Sequence, residues 1–141
     1  MTINDYLDME ALDNILEQWA AATHMIAVVL DDEGNFLSNK LGFSRNNVEA
    51  FSESIEVDDV EVATVVGGPL DEDTDEEVVE AAAAILVAAV QNLLEAGYHK
   101  KKYEEAIASF NEEIDGAAAL IKELAGKSQG LKKIENKQNI L

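Results

Sequence analysis

The stretch "MIAVVLDDEGNFLS", residues 25–38, predicts a β-hairpin and with it the fold class. Its first half is apolar and β-branched, which favours a buried strand, and "FLS" continues as a second strand. Between them, "DDEGN" supplies Gly34 and Asn35, two residues that tolerate the positive φ of a tight turn. The first part of the chain is therefore expected to contain an antiparallel sheet.

A helix is predicted immediately before this hairpin. Asp8 is a suitable N-cap, and the apolar residues that follow it recur at spacings of three and four, with Asp13 and Glu17 on the outward face. These apolar residues are Met9, Leu12, Ile15, Leu16, Trp19 and Ala20. The pattern is typical of an amphipathic helix that packs on a sheet.

After the hairpin, "SRNNVEAFSES" at 44–54 predicts a short helix capped by Ser44. "IEVDDVEVATVVGG" at 55–68 predicts a strand that ends at Pro69, and a separate strand at 55–57 remains an alternative.

A second helix follows, and Thr74 with Glu77 predicts a capping box at its start. A broad apolar stripe then extends to Gly97, where the composition changes. We expect a domain at 1–98 and a separate helix at 99–141.

Apolar residues in this last segment alternate at spacings of four and three, as in a coiled coil. They are Tyr103, Ile107, Phe110, Ile114, Ala117, Ile121, Leu124 and Leu131. A narrow stripe of this kind needs a partner helix, most simply from a second copy, so we predict a homodimer. The predicted dimer seam comprises Ile107, Phe110, Ile114, Ala117, Ile121, Leu124 and Leu131.

The formal net charge is −19, and residues 1–98 carry 22 acids against Lys40 and Arg45. Such a surface repels phosphate backbones and anionic lipids, so neither nucleic acid nor membrane is an expected partner. The chain has no cysteine and no basic leader, and its longest apolar run, "AAAAILVAAV", is half a membrane span. We expect a cytoplasmic protein that has no metal or other cofactor.

The residues that could carry chemistry do not form a catalytic pattern. His24 and His99 have no second ligand at metal spacing, and the carboxylate clusters lie in turn-like, hydrated segments. We therefore do not expect an enzyme.

Arg45 is the candidate for binding a small ligand, because a guanidinium can clamp a carboxylate in two hydrogen bonds while Asn46 and Asn47 read polar groups. Trp19 and Phe43 would form the walls of such a pocket. The alternative is that Arg45 pairs with Glu49 on the surface and that the two aromatic residues belong to the core.

The segment "GLKKIENKQNIL" at 130–141 resembles the stretch that leads into the signalling hairpin of methyl-accepting chemotaxis proteins. The resemblance implies a fragment of a longer chemoreceptor that ends before the hairpin contacting a histidine kinase and its coupling protein. "ASFNEEIDGA" at 108–117 is similar to a receptor methylation site, with Glu112 and Glu113 as acceptors. Two ordinary solvated carboxylates are the alternative.

The opening segment "YLDMEALDNILEQWAAATHMIAVVLDDEGNFLS" resembles the start of the PocR-type sensory domain, a PAS-like ligand-sensing module, and "VATVVGGPL" resembles its exit. The resemblance implies an α+β fold with a small PAS-like antiparallel sheet flanked by helices, followed by a long C-terminal coiled-coil helix. It implies a cytoplasmic sensory module that signals through a dimeric helix. The alternative function is a roadblock-like dimerisation or adaptor module that binds only proteins.

Overall fold

The computed structural model describes the backbone of residues 1–140 and the side chains of residues 1–127. After a short 3-10 turn at Ile3–Asp5, the elements are α1 (Met9–Thr23), β1 (Met25–Asp31), β2 (Phe36–Ser38), β3 (Phe51–Val57), β4 (Val60–Pro69) and α2 (Glu76–Ile140). The chain forms two compact units, the head unit Met1–Lys101 and the tail unit Lys102–Leu141.

The four strands of the head unit form one antiparallel sheet in the order β2-β1-β4-β3. The two central strands pair along their whole length, from Met25 opposite Pro69 to Asp31 opposite Ala63. With helices packed on this sheet and a long C-terminal helix, the predicted α+β class is confirmed.

The main core lies between α1, α2 and one face of the sheet. Successive strand residues point to opposite faces, so Met25, Ala27 and Val29 share this face of β1. Leu12 and Leu16 of α1 and the buried stripe of α2 cover it. That stripe comprises Val79, Ala82, Leu86, Val90 and Leu94.

The opposite face of the sheet is also covered. Ile26, Val28 and Val66 are buried there, outside the main core cluster. A side chain at Gly68 would overlap the carbonyl oxygen of Val48, so the loop between β2 and β3 lies against this face. Glycine is required at position 68 because the two backbones approach so closely.

The predicted helix at 44–54 is wrong. Ser44 begins a turn in which its N–H donates to Asn47 Oδ1 at 2.9 Å, and β3 begins at Phe51. Pairing with β4 overrides the local helical preference, since Phe51 lies opposite Gly67 and the ladder continues to Val57.

The stretch predicted as one strand at 55–68 is divided between β3 and β4, so the alternative with a separate strand is correct. Asp58 and Asp59 form a two-residue turn with φ of 54° and 62°. Positive φ at both positions is the geometry of a type I′ hairpin turn, which matches the twist of the flanking strands. In the first hairpin, Gly34 has the expected positive φ of 83°, whereas Asn35 does not adopt a positive φ.

The start of α2 differs from the prediction, because the helix begins at Glu76 and the carbonyl of Asp75 accepts from Val79 N at 3.1 Å. The predicted capping box does not form, since the Thr74 hydroxyl donates instead to the carbonyl of Asp71 at 2.9 Å. Gly97 does not interrupt the helix. A side chain at this position would overlap the carbonyl oxygen of Tyr6, so Gly97 permits the N-terminal segment to pack on α2.

The prediction that Asp13 faces outward is also wrong. Asp13 is 9% exposed, and its carboxylate accepts a hydrogen bond from Ser38 Oγ. Lys40 Nζ lies 3.8 Å from its other oxygen. The carboxylate thus fastens the end of β2 to α1, and its burial is tolerated because it is hydrogen-bonded.

Candidate functional site

Trp19, one of the predicted pocket walls, lies in the main core. It is 7% exposed, its indole Nε1–H donates to the carbonyl of Ala82 at 2.9 Å, and its ring packs edge-on against Phe51 at 6.1 Å. This hydrogen bond joins α1 to α2 and satisfies the polar atom of a buried aromatic side chain. The contacts of Trp19 are those of a core residue.

The other candidate ligand residues lie together in the loop between β2 and β3. Phe43 is half-buried and held by Asn39, whose side-chain amide bonds both its N–H and its carbonyl at 2.8 Å. Asn47 uses its carboxamide oxygen within the turn, whereas Arg45 and Asn46 are exposed. Three clefts in the described part of the chain have other linings, and none of the three contains Trp19 or Arg45.

The largest of these three clefts is a groove of about 1000 Å³ between β3 and the part of α2 from Glu76 to Gln91. Apolar side chains, among them Phe51, Val79 and Val87, form part of its wall. Its charged lining residues are Glu53, Glu76 and Glu80, all carboxylates. Sequence reasoning missed this groove because residues 51–54 were assigned to a helix, which leaves no free strand edge beside α2.

Two smaller clefts flank the N-terminal elements. One, of about 610 Å³, is lined by residues of α1 and by Lys40, and the other, of about 300 Å³, lies beside Ile3 and the turn after β1. Within residues 1–127, no group of three potential ligands is arranged to hold a metal ion. His24 ends α1 in the left-handed conformation and lies 3.4 Å from the Asp71 carboxylate on the surface.

Two ionisable groups near the N-terminus have shifted pKa values with structural causes. The Thr2 N–H donates to the Asp5 carboxylate at 2.6 Å and holds the pKa of this carboxyl below its usual value of 3.8. Burial, with smaller contributions from Tyr98 and Asp32, raises the pKa of Tyr6. The rings of Tyr6 and Tyr98 pack edge-on at 5.5 Å, so this tyrosine pair packs the N-terminal segment against α2.

The tail unit presents most of the predicted seam as exposed apolar surface. Ile107 is 40% exposed, Phe110 57%, Ile114 47%, Ile121 65% and Leu124 55%, and Ala117 is also exposed. Leu131 lies beyond the residues whose side chains are described. A continuous apolar stripe of this length is unusual on the surface of a monomeric soluble protein.

The predicted methylation acceptors, Glu112 and Glu113, are exposed residues of the same helix. Gly116, which follows them, has open space around it, since a Cβ there would meet nothing within 4 Å. The surroundings of both carboxylates are therefore open to solvent in a single chain.

By length and composition, α2 is the one helix in the described part of the chain that resembles a membrane span. Its segment Glu76–Lys127 contains a window of mean hydropathy 1.6, of which 33% is buried. The core helix of a soluble protein meets the same criterion, and the residues that pack on the sheet account for part of this apolar character.

Comparison with known proteins identifies no matching family model, no similar curated protein and no similar solved structure.

Proposed function

We propose that this chain is a cytoplasmic signal-transducing module of the chemoreceptor type, which dimerises through its tail unit. The exposed apolar stripe of the tail carries the proposal. A helix with this stripe is stabilised when the apolar residues pack against a second helix, and a second copy supplies an identical stripe in register. The module has no catalytic step.

In this proposal the head unit receives the stimulus and the paired tail helices pass it to a histidine kinase and its coupling protein. A change of packing between two arrangements would be the signal. Methylation of Glu112 or Glu113 would remove negative charge next to the seam and so shift the balance between these arrangements.

The dimer is tested by sedimentation equilibrium on the whole chain. We expect twice the 15.3 kDa mass of one chain at micromolar concentration. Ile114→Asp places a charge in the seam and should yield the monomer mass. Ala119→Asp adds the same charge on the opposite side of the helix and should leave the dimer intact. A monomeric native chain would refute the proposal.

A second candidate function is a protein-binding adaptor without a small-molecule pocket. Its supporting observation is the packed core, in which Trp19 takes a core position and bonds the Ala82 carbonyl. A thermal-shift screen with small carboxylic acids, diols and amino acids discriminates the two functions. A ligand that binds only the folded state raises the melting temperature, whereas the adaptor would show no shift with any of these compounds.

A further inference from the structure

The groove beside β3 combines a free strand edge with an apolar wall. In the described sheet β3 is the last strand, and β4 is its partner on one side only. In an antiparallel ladder, every second residue of an edge strand directs its N–H and C=O away from its neighbour. These groups can pair with an added strand.

One carbonyl of β3 already accepts a hydrogen bond from outside the sheet. Gln91 of α2 donates from Nε2 to the Glu56 carbonyl at 2.6 Å, and its amide also bonds the Glu95 carboxylate at 2.8 Å. A donor on α2 therefore reaches the β3 backbone at Glu56, and this one carbonyl is already occupied. A peptide N–H is a donor of the same kind as the Gln91 amide.

The wall opposite the strand edge is suited to alternate side chains of an extended segment. Val79 and Ala83 are buried, Val87 and Phe51 are half-buried, and Ala84 is exposed, all of them lining the groove. Small and apolar residues on this part of α2 leave space for side chains that point towards the helix. A strand added at an edge uses main-chain hydrogen bonds for affinity and such pockets for specificity.

The negative charge of the groove indicates which kind of segment would bind there. Glu53 on the strand and Glu76 and Glu80 on the helix are exposed, and they are its only charged lining residues within the described part of the chain. A cationic peptide complements them. A second copy is disfavoured here, because its β3 carries the same carboxylates, Glu53 and Glu56, and pairing the two strands would bring like charges close together.

We propose that this groove binds an extended, lysine- or arginine-containing peptide segment of a partner protein, which adds as a fifth strand to the free edge of β3. This binding function does not depend on the tail unit. It is independent of the dimer proposed above.

Fluorescence anisotropy tests the proposal with a labelled peptide of alternating lysine and valine, about ten residues long, the length of a long strand. We expect saturable binding to the whole chain that weakens as salt screens the carboxylates. The same peptide with glutamate in place of lysine should not bind. A version methylated on alternate backbone nitrogens should lose at least about tenfold in affinity, equivalent to about 1.4 kcal/mol.

Two matched pairs of variants locate the binding surface. Ala84→Trp fills the groove and should reduce affinity by about tenfold or more, whereas Ala81→Trp on the exposed surface outside the groove should change it less than about twofold. Glu80→Gln should weaken binding more than Glu77→Gln, which removes the same charge outside the groove. Circular dichroism of each variant establishes that the fold is retained.

Several results would overturn the proposal. Equal binding of the lysine and glutamate peptides would exclude charge selection, and equal binding of the methylated peptide would exclude strand addition. Equal effects of Ala84→Trp and Ala81→Trp would place binding elsewhere. A lower sedimentation mass for Ala84→Trp than for Ala81→Trp would identify the groove as a contact between two copies. Failure of Ile114→Asp to dissociate the dimer would refute the function proposed for the tail and leave these binding results intact.

Discussion

The head and tail units use the same helix, α2, in opposite ways. In the head unit, Leu86 and Val90 are fully buried against the sheet, whereas in the tail unit Phe110 is 57% exposed and Ile121 is 65% exposed. Apolar residues recur at helical spacing in both units. The difference lies in whether the chain itself provides a surface for them to pack against.

This comparison separates two origins of stability. The head unit buries its apolar stripe within one chain, so its free energy of unfolding should depend on its own core contacts. In the proposed dimer a partner would cover the stripe of the tail unit, so the helix content of the tail should then depend on protein concentration.

The largest effect expected is in the core of the head unit. Leu86→Ala should lower the free energy of unfolding by about 2–5 kcal/mol, because Leu86 is 0% exposed and its removal leaves a cavity. The neighbouring Ile85 is 67% exposed, so Ile85→Ala should change the free energy of unfolding by less than about 0.5 kcal/mol. Urea denaturation followed by circular dichroism measures both values. Equal losses would contradict the assignment of the buried face.

A smaller effect is expected where the N-terminal segment approaches α2. Gly97→Ala should lower the free energy of unfolding by about 1–3 kcal/mol, since the added methyl group overlaps the Tyr6 carbonyl and forces a backbone shift. Urea denaturation again provides the measurement. A stabilised Gly97→Ala variant would show that the N-terminal segment does not rest on this helix.

The equivalent substitution in the tail unit should have the opposite effect on stability. Gly116→Ala meets nothing within 4 Å and should stabilise the helix by about 0.5–1 kcal/mol, because alanine is the better helix former. Helix content measured by circular dichroism during heating should persist to a higher temperature. Destabilisation by this variant would indicate that a partner packs closely at Gly116.

The smallest expected effect concerns how the stability of the head unit depends on pH. The pKa of Asp5 is lowered by the Thr2 N–H, so the folded state favours the charged carboxylate. This stabilisation is present above the unfolded pKa, near 3.8, and is lost as the pH falls through the lower folded pKa. Asp5→Asn should therefore reduce the melting temperature at neutral pH and lose this effect in acid. Asp73→Asn, which removes a carboxylate from an exposed loop residue, serves as the matched control.

The sequence predicted the elements whose signals are local. The capped amphipathic helix α1 and the hairpin around Gly34 follow from residue spacing and turn chemistry, and the structure contains both. The apolar stripe of α2 was also predicted, but the start of the helix at Glu76 was not. Asp75 and Thr74 both suit a cap, so local chemistry did not distinguish them.

The errors concern residues whose structure depends on distant partners. Phe51 begins a strand because β4 pairs with it, and no local signal at 44–54 carries that information. Asp58 and Asp59 adopt a turn that more often contains asparagine or glycine. The β3–α2 groove was invisible for the same reason, since its two walls are distant in sequence and meet only in the folded head unit.

Trp19, whose indole donates a hydrogen bond to the Ala82 carbonyl, can serve as an intrinsic fluorescence probe. Trp19 is the single tryptophan of the chain, and it reports on the contact between α1 and α2 from within the head unit. Its emission should shift to longer wavelength when water reaches the indole. Unfolding of the head unit is thereby visible without a label, independently of any change in the tail helix.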